Sequence, residues 1–275
     1  MSPSEGSGEQ VQLLQKETDQ PVQDSTTPGV NMGASFLSKL QSCAHVLSHV
    51  LALLSIFLVI WWIQLLGGLS WKAGEAKQVF NWHPLLMVTA FGFMTVASQS
   101  FRYYSWLSRS VRKLTHAISW SVALLSALSA LIAVFASHND AKSGYIANLY
   151  SFHSWIGILV SLFYVLQYSV GLYAFYVNSP SWKAALVVIH KYVGLYLYQG
   201  VAVAMLLGIQ EKEGFVGCSY KVDAIDSVPL KHFLDIPLAC RVSHALGLAL
   251  VLMTLSTTLS LHTFGTQRHQ DQHAL

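Results

Sequence analysis

Acidic and basic side chains are scarce in this chain. Only 11% of its 275 residues are Asp, Glu, Lys or Arg, against about 25% in a soluble domain, and 53% are hydrophobic. That balance excludes an ordinary soluble fold. The formal charge of +3 is spread over short loops, with nothing resembling a basic face for DNA, so nucleic acid is excluded as a partner. With three cysteines, the chain is no disulfide scaffold. The first forty residues, rich in Gln, Ser, Thr, Gly and Pro, lack the charged start and small-residue cleavage site of a signal peptide.

What is abundant is long apolar sequence. Windows of about 20 apolar residues, enough to cross a hydrocarbon core of roughly 30 Å, fall at 44–66, 82–101, 116–137, 152–173, 186–209 and 242–262. The expected fold is an all-α membrane protein of six transmembrane helices. Around its central four-helix bundle, the first and last segments pack outside. Residues 1–40 are expected to be a disordered cytosolic tail, 41–264 the membrane domain, and 265–275 a cytosolic C-terminal tail.

Orientation follows from the loop charges. Arg102, Arg109, Arg112 and Lys113 lie between segments two and three with no acid beside them, whereas the loops after segments one, three and five mix Lys with Asp and Glu. By the positive-inside rule the former loop is cytosolic, as are both termini. Trp71 and Trp82 at one boundary, and Trp106 and Trp182 at the other, suit the aromatic belts at the headgroups. Cys218 and Cys240 share the non-cytosolic 210–241 loop and are candidates for a disulfide if that side is oxidising.

Against this apolar background four histidines stand out. His83, His116, His153 and His190 lie near the first residues of segments two to five, and an imidazole in hydrocarbon needs a partner. Alternating helix direction places His83 and His153 near the non-cytosolic face and His116 and His190 near the cytosolic one. Each level then has two imidazoles able to grip an iron from both sides, which suggests two haems in electron transfer. Gly157 and Gly194, four residues after His153 and His190, leave room on the same face for a flat macrocycle; Ser119 and Ala123 offer the same near His116. His45 and His49, at i and i+4, read more simply as interfacial histidines. Periodicity alone leaves His244 and His262 open as ligands.

Two other classes compete with this reading. A histidine-lined proton or divalent-metal transporter needs carboxylates within the membrane, and segments two to five have essentially none. A non-redox membrane scaffold would be colourless when purified.

The residues resemble the cytochrome b561 family of ascorbate-dependent transmembrane di-haem proteins over about 42–264. The resemblance is carried by Asn148-Leu149-Tyr150-Ser151-Phe152-His153-Ser154-Trp155-Ile156-Gly157, by Phe80-Asn81-Trp82-His83-Pro84, by Lys113-Leu114-Thr115-His116 and by Gly208-Ile209-Gln210-Glu211-Lys212. It implies two haem b groups on the same four histidines and commonly a homodimer in the lipid. It further implies that cytosolic ascorbate gives electrons to a ferric complex or to monodehydroascorbate on the far side.

Ascorbate is an anion, and the resemblance implies Arg102, Arg112, Lys113, Tyr173 and Lys183 as its cytosolic contacts. Two departures bear on that set: Gln99-Ser100-Phe101-Arg102 stands where the family has Leu-Val-Tyr-Arg, and Lys183 and Val188 replace an arginine and a proline. Lysine lacks the bidentate fork of arginine. On the far side His138, Asn139 and Asn148 match acceptor-site positions. Glu9-Gln10-Val11-Gln12-Leu13-Leu14 resembles an acidic dileucine sorting signal, which implies an endolysosomal or secretory-vesicle membrane.

Overall fold

A computed structural model describes residues 28–176, 180–218 and 236–262. Seven helices occupy them: α1 Pro28–Leu65, α2 Ala76–Phe80, α3 Trp82–Tyr103, α4 Arg109–His138, α5 Phe152–Tyr176, α6 Pro180–Phe215 and α7 Leu238–Leu261. Among the described residues six stretches are long and apolar enough to cross a membrane, with α2 and α3 counted as one. The protein is a helical, multi-pass membrane protein.

The chain divides into two units, Met1–Lys39 and Leu40–Leu275. In the first unit the described part is helical from Pro28, ahead of the position 41 expected from hydropathy. Pro at the first helical position costs nothing, because its missing N–H would be unpaired there anyway. The expected disorder of residues 1–27, the C-terminal tail 265–275 and the sorting-signal stretch all lie outside the described residues.

Within the second unit α1 ends in a Schellman motif. The Gly68 N–H donates to Ile63 O (2.9 Å) and the Gly67 N–H to Gln64 O (3.3 Å), with Gly67 at φ +93°, a conformation glycine adopts freely. The buried side chain of Asn81 then donates through Nδ2 to Gly68 O at 2.8 Å. This ties the exit of α1 to the start of α3, two residues before His83. At the other end of the membrane the Ser108 hydroxyl caps α4 by accepting from the Val111 N–H at 3.3 Å. Ser151 does the same for α5, accepting from the Ser154 N–H at 3.2 Å.

The core draws on six helices, with Tyr164 the contribution of α5. Val59, Trp62 and Ile63 of α1, Phe91 and Met94 of α3, Ala123 of α4, Tyr198 of α6, and Leu246, Leu250 and Met253 of α7 pack together. Tyr198 stacks on Phe91 with ring centroids 4.4 Å apart. Its hydroxyl lies 2.8 Å from Thr95 Oγ1 and donates to Thr257 Oγ1 at 3.1 Å. A polar group in hydrocarbon must find protein partners, and this one uses its need to fasten α3, α6 and α7 together.

The helix expected to stop near residue 209 runs on to Phe215. Hydropathy falls at Gln210-Glu211-Lys212-Glu213, but these side chains have seats. The Tyr150 hydroxyl donates to Glu211 Oε1 at 3.1 Å, and Ser243 donates to Glu213. Cys218 and Cys240 are joined as a disulfide, Cα atoms 5.6 Å apart, linking the end of α6 to the first turn of α7.

Candidate functional site

The four intramembrane histidines come together in two pairs. His83 of α3 and His153 of α5 have ring centroids 6.0 Å apart, and His116 of α4 and His190 of α6 are 6.1 Å apart. Helices α3 and α5 contribute at one level; α4 and α6 contribute at the other.

A second regularity governs how these rings are held. The His83 Nδ1–H donates to Ala130 O at 3.3 Å, that of His116 to Ala97 O at 2.9 Å and that of His153 to Ala204 O at 2.8 Å. His190 Nδ1 pairs instead with Gln167 Nε2 at 2.9 Å. Every one of these partners stands fourteen residues after a histidine on its own helix: Ala97 after His83, Ala130 after His116, Gln167 after His153 and Ala204 after His190. Fourteen residues are about four turns and about 21 Å of rise. Thus α3 and α4 hold each other's histidines, and α5 and α6 do likewise, so the core is two hairpins built to one plan.

These features fit a haem at each level. Two metal–nitrogen bonds of about 2 Å each, with half a ring on either side, come to about 6 Å between imidazole centroids. A Nδ1–H given to a carbonyl leaves Nε2 with its lone pair and makes the ring a better donor to metal. His83, His116 and His153 are in that state.

Glycines make room for two of the rings, but across the helix pair rather than along one helix. A Cβ on Gly208 of α6 would stand 2.8 Å from His153 Cε1, and one on Gly171 of α5 would stand 3.1 Å from His190 Cε1. A Cβ on Gly157 would meet nothing within 4 Å, and one on Gly194 would stand 3.5 Å from Gln167 Nε2. Ser119 and Ala123 are buried in α4. Gln167, Gly171 and Gly208 were missed in the sequence. Only Gly208 had a signal there, as part of a quoted motif.

At the end of the bundle that holds His116 and His190, the Arg102 guanidinium donates to Gln41 Oε1 at 2.6 Å and lies over the Tyr103 ring. It is therefore turned towards α1. Arg112 donates to Phe101 O at 3.0 Å, and Phe101 packs on His116 with centroids 5.4 Å apart. This brings Arg112 to the rim of the His116/His190 level. Lys113 and Lys183 are half-buried near the starts of α4 and α6. Tyr173 is exposed and meets Trp182 edge-on at 5.7 Å.

His45 and His49 find protein partners in the same region. His45 stacks on Tyr103 at 4.0 Å and donates to Gln99 Oε1; His49 donates to His45 O at 2.9 Å and accepts from the Tyr104 hydroxyl at 3.0 Å. Burial raises the Tyr104 phenol above its ordinary value, so it stays a donor at neutral pH. Among the described residues no group of three or more His, Cys, Asp or Glu is arranged to hold a metal ion.

At the opposite end, Phe80 connects several polar groups to the His83/His153 level. Its ring lies 5.8 Å from His83 and stacks on His138 at 6.2 Å, while Lys212 Nζ sits 4.3 Å above it. His138 donates to Asn148 Oδ1 at 3.1 Å. Asn139 turns back to donate to Phe135 O at 2.8 Å, closing the end of α4. His244 pairs with Glu213 at 3.5 Å, and His262 ends α7, so neither approaches a histidine pair in the contacts described. Phe80 and Lys212 stood in the sequence motifs, but no role for them could be read there.

Residues 82–216 match the family model for eukaryotic cytochrome b561. The chain is 38% identical over 166 residues to the plasma membrane ascorbate-dependent reductase CYBRD1 of Rattus norvegicus, a match covering 58% of this chain and 56% of that protein. The chain thus spans little more than half the length of that relative. Identity is 35% over 174 residues to transmembrane ascorbate ferrireductase 1 of Arabidopsis thaliana, covering 62% of this chain and 71% of the relative. It is 34% over 178 residues to a probable ascorbate-specific transmembrane electron transporter of rice, with 62% and 74% covered. Helices, paired histidines and relatives converge, and the chain belongs to the cytochrome b561 family.

Proposed function

We propose that the chain is a transmembrane ascorbate-dependent oxidoreductase with two haem b groups, one between His116 and His190 and one between His83 and His153. The observation that carries this reading is the pair of imidazole couples at 6.0 and 6.1 Å, at opposite ends of the same four helices. Each haem would be held by two of these imidazoles and would supply a one-electron iron couple, an arrangement that suits electron transfer rather than oxygen binding. The protein contributes binding, orientation and electrostatics.

Ascorbate binds as an anion at the cytosolic end. Arg112, beside Phe101 and His116, supplies fixed charge there, with Lys113, Lys183 and Tyr173 at the same end; Arg102 supports the set from its seat on Gln41. At the far end His138 and Asn148 form a hydrogen-bonded pair beside Phe80. The nearby Lys212 ammonium favours an anionic acceptor, either a ferric complex or monodehydroascorbate. The name of the Arabidopsis relative supports the ferric complex, that of the rat relative an ascorbate-dependent reductase, and that of the rice relative the broader electron-transport role. Exposed apolar side chains on α4 and α5, such as Ile132 and Leu162, suit lipid or a second copy in a homodimer. The Glu9–Leu14 stretch supports an endolysosomal or secretory-vesicle membrane, while the name of the rat relative gives the plasma membrane for that protein; surface biotinylation separates the two.

A visible spectrum of the purified protein, before and after ascorbate, tests the central reading. The expected result is a sharp reduced b-type band with two haems per chain, and one haem in each of the His83→Ala and His116→Ala variants. A colourless wild-type protein from haem-replete cells would sink the reading in favour of metal or proton transport.

A further inference from the structure

Three of the four intramembrane histidines rest on main-chain carbonyls, and one rests on a side chain. Gln167 occupies on α5 the place that Ala97 occupies on α3, fourteen residues after the first histidine of its hairpin. Its Nε2 donates to the His190 main-chain O at 2.7 Å and to His190 Nδ1 at 2.9 Å. Gly171, one turn further along α5, clears the His190 ring. Gly194, one turn beyond His190, leaves space for the amide. The seat of His190 is therefore made by Gln167 and Gly171 together.

A carbonyl can only accept, so Ala97, Ala130 and Ala204 fix the proton of their histidines on Nδ1. A primary amide both donates and accepts. With nitrogen towards the ring, Gln167 leaves Nδ1 as the acceptor; for its oxygen to take the Nδ1–H and free Nε2 for a metal, the amide must turn over and give up its bond to the His190 main-chain O. The partner of a ligating imidazole governs how strongly the ring donates to the metal, and axial donation sets haem potential. At three positions that partner is backbone, which substitution cannot remove.

We propose that Gln167 is the positioning residue that sets the donor strength of His190, and so tunes the cytosolic haem separately from the non-cytosolic one. This rests on the two-haem reading above. A stronger acceptor at 167 pushes electron density onto the ring and favours ferric iron; no acceptor does the reverse.

The test is a potentiometric titration, followed optically and by electron paramagnetic resonance, of full-length wild type, Gln167→Glu and Gln167→Met. We expect two haems per chain throughout and two one-electron components in wild type. One component moves down in Gln167→Glu and up in Gln167→Met, each by about tenfold in the ferric-to-ferrous ratio, or about 59 mV for a one-electron couple. The other stays in place. Loss of one haem from Gln167→Met alone supports the proposal too, because the two variants differ in the acceptor offered to Nδ1. Components that do not move, that move together, or that shift in the same direction in both variants overturn it, as does equal haem loss from both variants. A wild-type chain without haem overturns the two-haem reading itself, and is seen before any variant is compared.

Discussion

Replacing Gly208 by alanine should cost the protein a haem while leaving its fold almost untouched. The added Cβ would lie 2.8 Å from His153 Cε1, 3.1 Å from Nδ1 and 3.2 Å from Nε2, whereas carbon contacts settle at about 3.5–4.0 Å. The ring must therefore retreat by about 0.7 Å or more. Overpacking of this kind costs about 1–3 kcal/mol, and Gly→Ala within a helix returns about 1 kcal/mol. The net change in stability is small, about 0–2 kcal/mol. Ligand geometry is far less forgiving, since a working site tolerates about 0.5 Å. Geometry wins over stability in deciding the phenotype. Haem content per chain and thermal unfolding in detergent, measured on Gly208→Ala beside Gly214→Ala, decide the matter. Gly214 has open space at its Cβ and should keep both haems. Two haems in Gly208→Ala with an unchanged spectrum would refute the reasoning.

Other expectations concern the end that holds His83 and His153. Lys212→Gln removes the ammonium 4.3 Å above Phe80 and should raise KM for an anionic ferric chelate severalfold with haem reduction by ascorbate unchanged; stopped-flow kinetics with a neutral acceptor as control check this. Opening the Cys218–Cys240 disulfide, whose separation is 22 residues, should cost about 3 kcal/mol by loop-closure entropy, read as a lower Tm in reductant that Cys218→Ser reproduces. Hydrogen bonds from the Ser143 hydroxyl and the Gly74 N–H, with lesser help from Lys142, hold the Asp140 carboxyl below its ordinary value. Because the folded value is the depressed one, this clasp stabilises the loop at pH above the ordinary carboxylate value and is lost as pH falls through the depressed one. Protection of the Gly74 amide, its exchange rate relative to the intrinsic rate at each pH, should therefore fall in acid in the wild type, and be low at all pH values in Asp140→Ala.

Composition and helix direction were enough to order six spans and to assign four histidines to two levels, because hydrocarbon allows few structures and few polar exceptions. What stayed hidden depended on contacts between helices. The glycine that clears the His153 ring sits 55 positions away on α6, and helical spacing along α5 pointed to Gly157 instead. Nothing in the sequence of α5 marks Gln167, whose role depends on α6 lying beside it. Arg102 was legible as a cation but not in its orientation towards Gln41. Hydropathy placed the end of α6 too early, since it measures side-chain polarity and not whether a partner such as Tyr150 or Ser243 awaits.

The fourteen-residue interval makes each of α3 to α6 a ruler as well as a span. One end of the interval carries a histidine, and the other carries the group that holds the neighbouring helix's histidine at the opposite face of the membrane. One residue inserted between the two marks would turn them about 100° out of alignment, disturbing both levels at once. Insertions and deletions can accumulate in the loops, in α1 and in α7, while these four intervals are held to length, and a chain that has changed any of them has given up the paired arrangement.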